Sequence, residues 1–457
     1  MDADILDPQA FAATDHEAWL KLVGKALKGA DFAETLVSAT DDGIAIQPLY
    51  ARRADATPMM RRRPLEPWTV TQRMDDPDTE RAFAQLADDR GNGASGISLV
   101  MKDSPSAFGL GLDVSGVRDI PARLADASSD KNFSLRIEAG SHSAELADHV
   151  VAAMAGTAHA VHFGLDPLSA AALSGGEADL GRAADRFRHL QAVGVSGTIL
   201  NADGRPVHNA GGTEAQELAI VAAAVAEYLR VLDADGIAPD TMLGAISLCL
   251  SADQDQFVTI AKARAARLIF ARLSEACGCD PSLSAHLFME TSYRMLTRLD
   301  PETNILRNTI AVFAAGTGGA DEISVLPYTL AHGIPDPLAR RLARNTQVVL
   351  IAESHLDHVN DPAAGAGGVE ALTDALAETA WEIFGDIERR GGLSAAIGDG
   401  SLKAMIARSR EKRPNRLIVG TTLFPAKVER PVEVLGPLVA VDVAGLKAVR
   451  LDEEMGI

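Results

Sequence analysis

The chain of 457 residues is poor in aromatic residues, in cysteine and in positive charge. Aromatic residues make up 4% of it and hydrophobic residues 47%, so we expect a core of Ala, Leu, Val and Ile. A formal net charge of −20 disfavours nucleic acid or an anionic membrane surface as a partner. Cys249, Cys277 and Cys279 have no CxxC spacing, so neither a disulfide framework nor a zinc site is indicated.

Long apolar runs are also missing. No stretch approaches the length of a membrane-spanning helix, and the acidic N-terminus MDADILDP is unlike a signal peptide. We therefore expect no membrane and no nucleic acid among the partners, and a cytoplasmic location. The length suits one large α/β domain with appended segments.

A strand–helix unit repeats along residues 67–368. Its clearest copy is 285–368, where an apolar run ending in Glu290-Thr291-Ser292 precedes a helical stripe, a second apolar run and a second helical stripe. Alternation of this kind is typical of a parallel sheet with its helices outside. Six further strands are predicted at 68–74, 96–101, 133–139, 160–165, 197–202 and 245–250, each followed by a helix, one of them at 120–127. Eight such units predict an α/β fold of the (β/α)8 TIM barrel class.

Two flanking regions do not repeat the unit. Residues 1–66 are predicted to be an N-terminal arm and linker with an amphipathic helix at 16–28. That helix either packs back onto the chain's own barrel or wraps around a partner subunit. Residues 369–457 are predicted to be a C-terminal helical extension and tail, with helices at 369–390 and 393–410 and a strand at 416–422. The barrel itself is expected at 67–368.

Reactive groups of such a barrel lie at the C-terminal ends of its strands. The candidates there are Glu138, His142, Asp166, Asn201, Asp203, His208, Glu290, Thr291, Ser292 and Tyr328. Their spacing matches no dinucleotide-binding, Walker, HExxH or GxSxG motif. His208 lies in a Gly-rich loop at 207–212, but a loop histidine is more often a surface or packing residue than a general acid.

Several short motifs resemble the barrel domain of the methylmalonyl-CoA mutase family. They are Glu290-Thr291-Ser292, Asp300-Pro301, Asn304-Ile305-Leu306-Arg307, Ala343-Arg344-Asn345-Thr346-Gln347, Glu353-Ser354-His355, and Asp361-Pro362 followed by Gly365. The arm with Trp19 and Leu49-Tyr50, and the loop Val207-His208-Asn209-Ala210-Gly211, resemble specifically the small, or beta, subunit of that family. The likeness covers essentially the whole chain and runs in order along it.

The resemblance implies a barrel through whose axis the pantetheine arm of an acyl-CoA threads. A flavodoxin-like domain of the family holds cobalamin against the barrel mouth. The active chain is an isomerase that interconverts methylmalonyl-CoA and succinyl-CoA by a radical rearrangement, which starts with homolysis of the cobalt–carbon bond. In heterodimeric members the small subunit is not catalytic, and it pairs with the large subunit partly through its N-terminal arm.

The chain departs from the family's catalytic pattern at positions that would touch substrate or cobalamin. The loop before the first strand lacks a tyrosine, and Glu66 replaces an arginine. The catalytic histidine loop is shortened, so His208 is displaced from the position of the family's catalytic histidine. In the sixth strand, Ala245 stands where the family has an arginine. Residues 324–328 replace Ser-Leu-His-Thr-Asn. No DxHxxG occurs, and the chain is expected to end before a cobalamin domain.

We therefore predict a small subunit in a heterodimer with the large (alpha) subunit, with no catalytic residue and no metal of its own. Adenosylcobalamin is expected only in the assembled mutase. A vestigial pocket is expected at His208, Asn209, Glu290, Thr291 and Tyr328, with acyl-CoA as a doubtful ligand. Replacement of polar groups by Ala, Leu and Val is what a barrel that fills its own axis would show.

Two other interpretations stay open on the sequence. One is a catalytic acyl-CoA mutase barrel that uses a separately encoded cobalamin-binding protein. The other is a free-standing acyl-CoA-binding or regulatory barrel. An open axial channel would favour the catalytic barrel, and a filled axis would favour the non-catalytic subunit.

Overall fold

The computed structural model describes residues 15–59, 62–113, 123–124, 133–154, 160–194, 196–414, 416–440 and 443–457. Its strands are β1 (Ser38–Ala39), β2 (Ala45–Ile46), β3 (Thr69–Met74), β4 (Gly96–Val100), β5 (Ser134–Glu138), β6 (Ala160–His162), β7 (Leu200–Asp203), β8 (Ile246–Ala252), β9 (His286–Thr291) and β10 (Glu322–Ser324). Most of the predicted helix at 120–127 lies outside the described residues.

The helices that precede and surround the sheet fall mostly where the apolar stripes predict them. They are α1 (His16–Leu27), α2 (Phe32–Leu36), α3 (Thr79–Gly91), α4 (Ser143–Met154), α5 (Pro167–Ser174), α6 (Leu180–Val193), α7 (Arg205–Asn209), α8 (Glu214–Ala234), α9 (Pro239–Gly244), α10 (Gln256–Ala276), α11 (Thr303–Gly318), α12 (Pro337–Ala352), α13 (Gly367–Arg389), α14 (Leu393–Gly398), α15 (Ser401–Lys412) and α16 (Leu451–Glu454). None of these helices, in the described part of the chain, is long and apolar enough to cross a membrane.

Strands β3 to β10 form one eight-stranded sheet in the order β6-β5-β4-β3-β10-β9-β8-β7, and every pair in it is parallel. The two outer strands meet at a parallel bridge between Leu165 and Leu200. At the same seam the N–H of Val161 donates to the carbonyl of Ser196 over 2.8 Å. The sheet therefore closes on itself, and the predicted (β/α)8 TIM barrel is confirmed.

Successive side chains of a strand point to opposite faces of a sheet. On the outer face of the barrel, Leu99, Ile137, Leu250, Met289 and Ile323 are fully buried in one apolar core shared with the surrounding helices. The residues between them point to the axis, and most of these are polar or charged. The sequence His286–Thr291 shows the alternation directly, since its apolar outer residues alternate with inward ones.

Capping side chains fix where the barrel helices begin. Asp78, Asp179, Asp255 and Asp336 each accept a hydrogen bond from a backbone N–H in the first turn of the helix that follows. Thr213 and the third residue of α8 form a reciprocal capping box. Such caps satisfy N–H groups that have no partner within the helix.

The N-terminal arm touches the rest of the chain through its turn and its short strands. No residue of α1 or α2 is buried. In the turn, the Asp41 carboxylate accepts from Arg413 over 2.9 Å and from Arg416 over 2.7 Å. The apolar side chains of α1 are therefore only partly covered, since Trp19, Val23 and Leu27 are half-buried while Leu20 is exposed.

The first part of the C-terminal extension shares the core of the barrel, since Leu372, Leu376 and Phe384 of α13 belong to the same apolar cluster as the strands. The prediction of one helix at 393–410 is wrong. Two helices, α14 and α15, are separated at Gly400, whose φ of 76° is left-handed and breaks the helical path.

The predicted strand at 416–422 is also wrong. The N–H groups of Thr421, Thr422 and Leu423 all donate to the carbonyl of Ile418. This folds the segment into a turn, and the φ of 78° at Gly420 permits it. The division of the chain at residues 66 and 368 stays a prediction.

Candidate functional site

The lower part of the barrel axis is built around Glu322 of β10. Arg136 of β5 donates to Oε2 of Glu322 from Nε over 3.0 Å and from Nη2 over 2.7 Å. Thr71 Oγ1 donates to Oε1 over 2.8 Å, and His286 Nε2 lies 3.2 Å from Oε2. Burial alone would raise the pKa of Glu322, but Arg136 and His286 hold that pKa well below its usual range. This carboxylate is therefore ionised and fully paired.

The upper part of the axis contains more carboxylates than guanidinium groups. Arg73 Nη1 donates to Glu290 over 2.6 Å. Arg205, the first residue of α7, contacts Glu138 at 2.8 Å, Asp203 at 2.6 Å and Glu290 at 3.3 Å. All five side chains are buried. Asp75, also buried, accepts from Arg73 Nε over 2.8 Å and from Arg340 Nη1 over 2.7 Å, so four buried carboxylates share three guanidinium groups.

The charge excess shows in the pKa values of the upper carboxyl groups. Burial raises the pKa of both Glu290 and Asp203, and the neighbouring Glu138 adds to the rise. The guanidinium groups of Arg73 and Arg205 oppose it without cancelling it. The two layers therefore differ, because Glu322 is held ionised while Glu290 and Asp203 keep protons more readily.

Phe288 of β9 joins the two layers. Its ring centroid lies 4.0 Å from Cζ of Arg136 and 5.0 Å from Cζ of Arg205, which are cation–π distances. Phe288 and Arg136 are fully buried and Arg205 is 2% exposed. The described part of the axis is thus filled by charged and aromatic side chains, whereas the sequence led us to expect Ala, Leu and Val. The expected chemistry of the filling was wrong, because the outer face of the strands takes the aliphatic residues.

Two of the predicted pocket residues, His208 and Asn209, lie at the end of α7. His208 is fully buried, and its Nε2 lies 2.8 Å from Ser292 Oγ. Asn209 Oδ1 accepts from the N–H of Arg294 over 3.3 Å. Both side chains thus connect the loop after β7 to the loop after β9.

The other three are Glu290, Thr291 and Tyr328. Glu290 belongs to the upper layer of the axis, and Thr291 Oγ1 accepts from the N–H of Leu326 over 2.8 Å. Tyr328 is half-buried, and its carbonyl accepts from Asn304 Nδ2 over 3.1 Å. The structure therefore places Glu290 in the axis and the other four residues around the mouth.

A cavity of about 930 Å³ lies at the mouth of the barrel, between residues that follow β4 to β7 and β9 and residues of the C-terminal stretches 438–440 and 443–450. Of the predicted pocket residues, Asn209 alone lines it. Apolar side chains such as Leu165, Leu173 and Leu446 form much of its wall, and none of the axial charged groups lines it. At its edge, burial and the neighbouring Asp203 raise the pKa of Asp166 to about 7. The cavity thus lies at the mouth, and the charged side chains that fill the axis do not line it.

The side chains that fill the axis were not predicted from the sequence; they are Arg73, Arg136, Arg205, Phe288 and Glu322. A usable signal was present in the sequence. Charged residues stand at alternate positions of predicted strands whose other positions are apolar, as in Ser134–Glu138. In a closed barrel the face opposite the apolar one must point to the axis.

The sequence profile described as methylmalonyl-CoA mutase matches residues 183–450. A protein of Streptomyces virginiae named methylmalonyl-CoA mutase small subunit is 35% identical over 97% of this chain and 75% of that protein. The chain belongs to the methylmalonyl-CoA mutase family. A small subunit from Propionibacterium freudenreichii subsp. shermanii is 32% identical over 94% of this chain and 73% of that protein. The predicted likeness to mutase small subunits is confirmed.

The methylmalonyl-CoA mutase family depends on cobalamin, and the described mouth of this barrel does not fit that cofactor. The chain's own C-terminal segment is bound across the mouth. The N–H of Val439 donates to the carbonyl of Gly109 over 3.1 Å, and that of Val449 donates to Asn209 over 2.8 Å. Leu326, at a position that faces cobalamin in the catalytic pattern, is fully buried. The C-terminal segment and Leu326 therefore occupy part of the surface against which cobalamin would lie.

Proposed function

We propose that this chain is a non-catalytic small subunit of a methylmalonyl-CoA mutase, which stabilises a large subunit that carries the isomerisation and the adenosylcobalamin. The filled axis carries this proposal. The catalytic route of the family needs an open path for pantetheine, and here Arg136, Phe288 and Arg205 occupy that path.

Opening the axis would be energetically expensive. Pantetheine would have to displace the paired Arg136 and Glu322, both fully buried. Separating a buried ion pair leaves an uncompensated charge, at a cost of about 3–5 kcal/mol. The pantetheine arm of an acyl-CoA offers amide, hydroxyl and thioester groups, which cannot replace a guanidinium group opposite a carboxylate. The axis is therefore a packed core, which also argues against a catalytic barrel served by a separate cobalamin-binding protein.

The uncovered arm supports pairing with a second subunit. On α1, the side chains of Leu20 and Leu22 are 39% and 60% exposed. An amphipathic helix whose apolar side chains face water is stabilised when a partner covers them. We therefore assign the arm to the heterodimer contact with the large subunit. The cytoplasmic location stays a prediction.

Co-expression with the mutase large subunit of the same organism tests this proposal. Size-exclusion chromatography is expected to give a 1:1 complex. The double variant Leu20→Asp/Leu22→Asp, altered only at exposed positions, is expected to weaken that complex at least about tenfold, since two apolar contacts of about 1 kcal/mol or more are lost. Lys21→Gln on the same helix is the matched control and should leave it unchanged.

Turnover measurements separate the proposal from the catalytic alternative. The chain alone, with adenosylcobalamin and methylmalonyl-CoA, is expected to form no succinyl-CoA, whereas the complex forms it. Turnover by the chain alone would refute the non-catalytic assignment. Failure of the large subunit to bind would refute the assignment as a partner subunit.

A further inference from the structure

One wall of the cavity at the mouth is the C-terminal segment 443–450, which is bound closely to the barrel. The N–H of Gly445 donates to the carbonyl of Leu173 over 3.0 Å, and that of Leu446 donates to Ala172 over 2.8 Å. A Cβ atom at Gly445 would lie 1.9 Å from the carbonyl oxygen of Ala172, so only glycine permits this approach. The segment is thus fixed against α5, beside a cavity of about 930 Å³.

The cavity has the size and much of the lining that are typical of a small-molecule site. Helix α5 contributes Ala170, Ala171 and Leu173 to it, and the stacked rings of Phe108 and Tyr293, with centroids 4.4 Å apart, add aromatic surface. Sites for small ligands usually have volumes of about 300–1,000 Å³ and apolar walls with a few polar groups that fix the ligand's orientation. The polar groups of this wall therefore indicate which kind of ligand it takes.

Two buried side chains of the cavity wall have hydrogen-bond donors that no described residue accepts. Asn209 is 4% exposed, and its Oδ1 accepts from the N–H of Arg294, while its Nδ2 donates to none of the described residues. Arg450 is 9% exposed and donates from Nη1 to Tyr293 Oη and from Nε to Asp452, each over 3.1 Å, while its Nη2 likewise has no acceptor there. Buried donors are normally paired, so acceptor oxygens are what this wall lacks.

The charges in the buried part of the wall are compensated. Arg450 is paired with the fully buried Asp452. Burial and the neighbouring Asp203 raise the pKa of Asp166 to about 7, so this carboxyl group is mostly uncharged below that pH. The other charged side chains that line the cavity are exposed and of both signs, among them Lys102, Arg182, Lys447, Glu177, Asp179 and Glu453. The buried wall therefore carries no net charge that would favour a charged ligand.

We propose that the cavity binds an uncharged, largely apolar carbonyl compound, such as a ketone or an ester, with Asn209 Nδ2 and Arg450 Nη2 as donors to its oxygen atoms. Such a ligand provides the acceptors that the wall lacks and buries its apolar part against α5 and the C-terminal segment. The charged side chains of the axis, such as Arg136 and Arg205, do not line the cavity. Binding therefore requires no opening of the axis.

Fluorescence titration of the full chain with 6-propionyl-2-dimethylaminonaphthalene at about pH 6.5 tests the proposal. This probe is an uncharged naphthyl ketone whose emission moves to shorter wavelength in an apolar site. Saturable binding of one probe per chain is expected. Nonan-2-one should displace the probe. Nonanoate has the same number of carbon atoms and a negative charge, so it should displace the probe at least about tenfold less well, because burial of a carboxylate is unfavourable.

Variants of the cavity wall locate the binding. Ala170→Trp places a large side chain in the cavity from a half-buried position and is expected to weaken binding at least about tenfold. Asn209→Asp keeps the acceptor Oδ1 but replaces the donor by a second acceptor, and about the same loss is expected. Ala192→Trp is the control, since it adds the same ring at an exposed position of α6 that does not line the cavity. If Ala170→Trp does not fold, as judged by circular dichroism, Ala444→Trp at an exposed position of the wall takes its place.

Several results would overturn the assignment. They are no saturable binding by the unaltered chain, undiminished binding by the folded tryptophan variant of the wall or by Asn209→Asp, and displacement by nonanoate as effective as that by nonan-2-one. Displacement by methylmalonyl-CoA at lower concentration than nonan-2-one would also overturn it, because the cavity would then hold a charged CoA ester. Binding is measured on the chain alone, so the outcome does not depend on the proposed pairing with a large subunit.

Discussion

The two faces of the barrel strands use different physical means to fill space. Ile137 faces the helices and packs among aliphatic side chains, while its neighbour Arg136 faces the axis and pairs with Glu322. The outer face gains from burial of apolar area, which tolerates small changes of shape. The inner face depends on matched charges, where loss of one partner leaves the other buried and uncompensated. Substitutions on the outer face of the strands should therefore cost little stability, and substitutions in the axis should cost much more.

The largest expected effect comes from breaking a pair in the axis. Arg136→Met removes a guanidinium group and leaves Glu322 buried without its main partner. We expect a loss of about 3–5 kcal/mol in the free energy of unfolding, measured by urea denaturation. The double variant Arg136→Met/Glu322→Met should regain most of that loss. A loss below about 1 kcal/mol in the single variant would show that the pair is not a stabilising unit.

The pH dependence of stability should differ between a buried carboxyl group whose pKa is raised and one whose pKa is lowered. Asp166 has its pKa raised from 3.8 to about 7 by burial and by Asp203, so ionisation is disfavoured in the folded chain. Its contribution to stability is present below about pH 4 and is lost as the pH rises to about 7. Asp166→Asn should remove that part of the slope in urea unfolding measured between pH 5 and 8. An unchanged slope would contradict the raised pKa.

The opposite sign is expected for Glu322, whose pKa is lowered by its partners. Its contribution is present above the ordinary glutamate pKa and is lost only as the pH falls below that value.

A smaller effect is expected on the outer face. Ile137→Val, one residue from Arg136, removes one methylene group from the apolar core on the outer face of the barrel. This should cost about 0.5–1.5 kcal/mol in the same denaturation experiment. A cost as large as that of Arg136→Met would erase the contrast between the two faces.

The smallest effect is expected for an ion pair on the surface. Arg272 donates to Glu275 over 2.6 Å, but the two side chains are 63% and 71% exposed. Arg272→Ala should change stability by less than about 1 kcal/mol, since water and salt screen such pairs. This variant separates the effect of burial from the effect of charge, because it removes the same kind of pair as Arg136→Met does.

Much of the fold could be predicted because apolar periodicity is a local property of the sequence. The eight strands and most helices were found in this way, as in α10, whose stripe is continuous over 21 residues. The errors lie where one glycine changes the path of the backbone. Gly400 splits a predicted helix, and Gly420 folds a predicted strand into a turn.

The site was harder to predict because it depends on closure of the barrel. Arg136 and Glu322 are 186 residues apart in the sequence and meet only across the axis. Their pairing requires the register of the whole sheet, which no local pattern contains. The family motifs found the scaffold and the absent catalytic positions, but they did not show what replaces the substrate path.

The central claim, that side chains occupy the path of pantetheine, can be tested directly. The measurement is a crystal structure of the chain grown with succinyl-CoA at millimolar concentration. The account predicts that Arg136, Phe288 and Arg205 occupy the axis, with no ligand between them. Electron density for pantetheine along the axis, with these three side chains displaced, would contradict it.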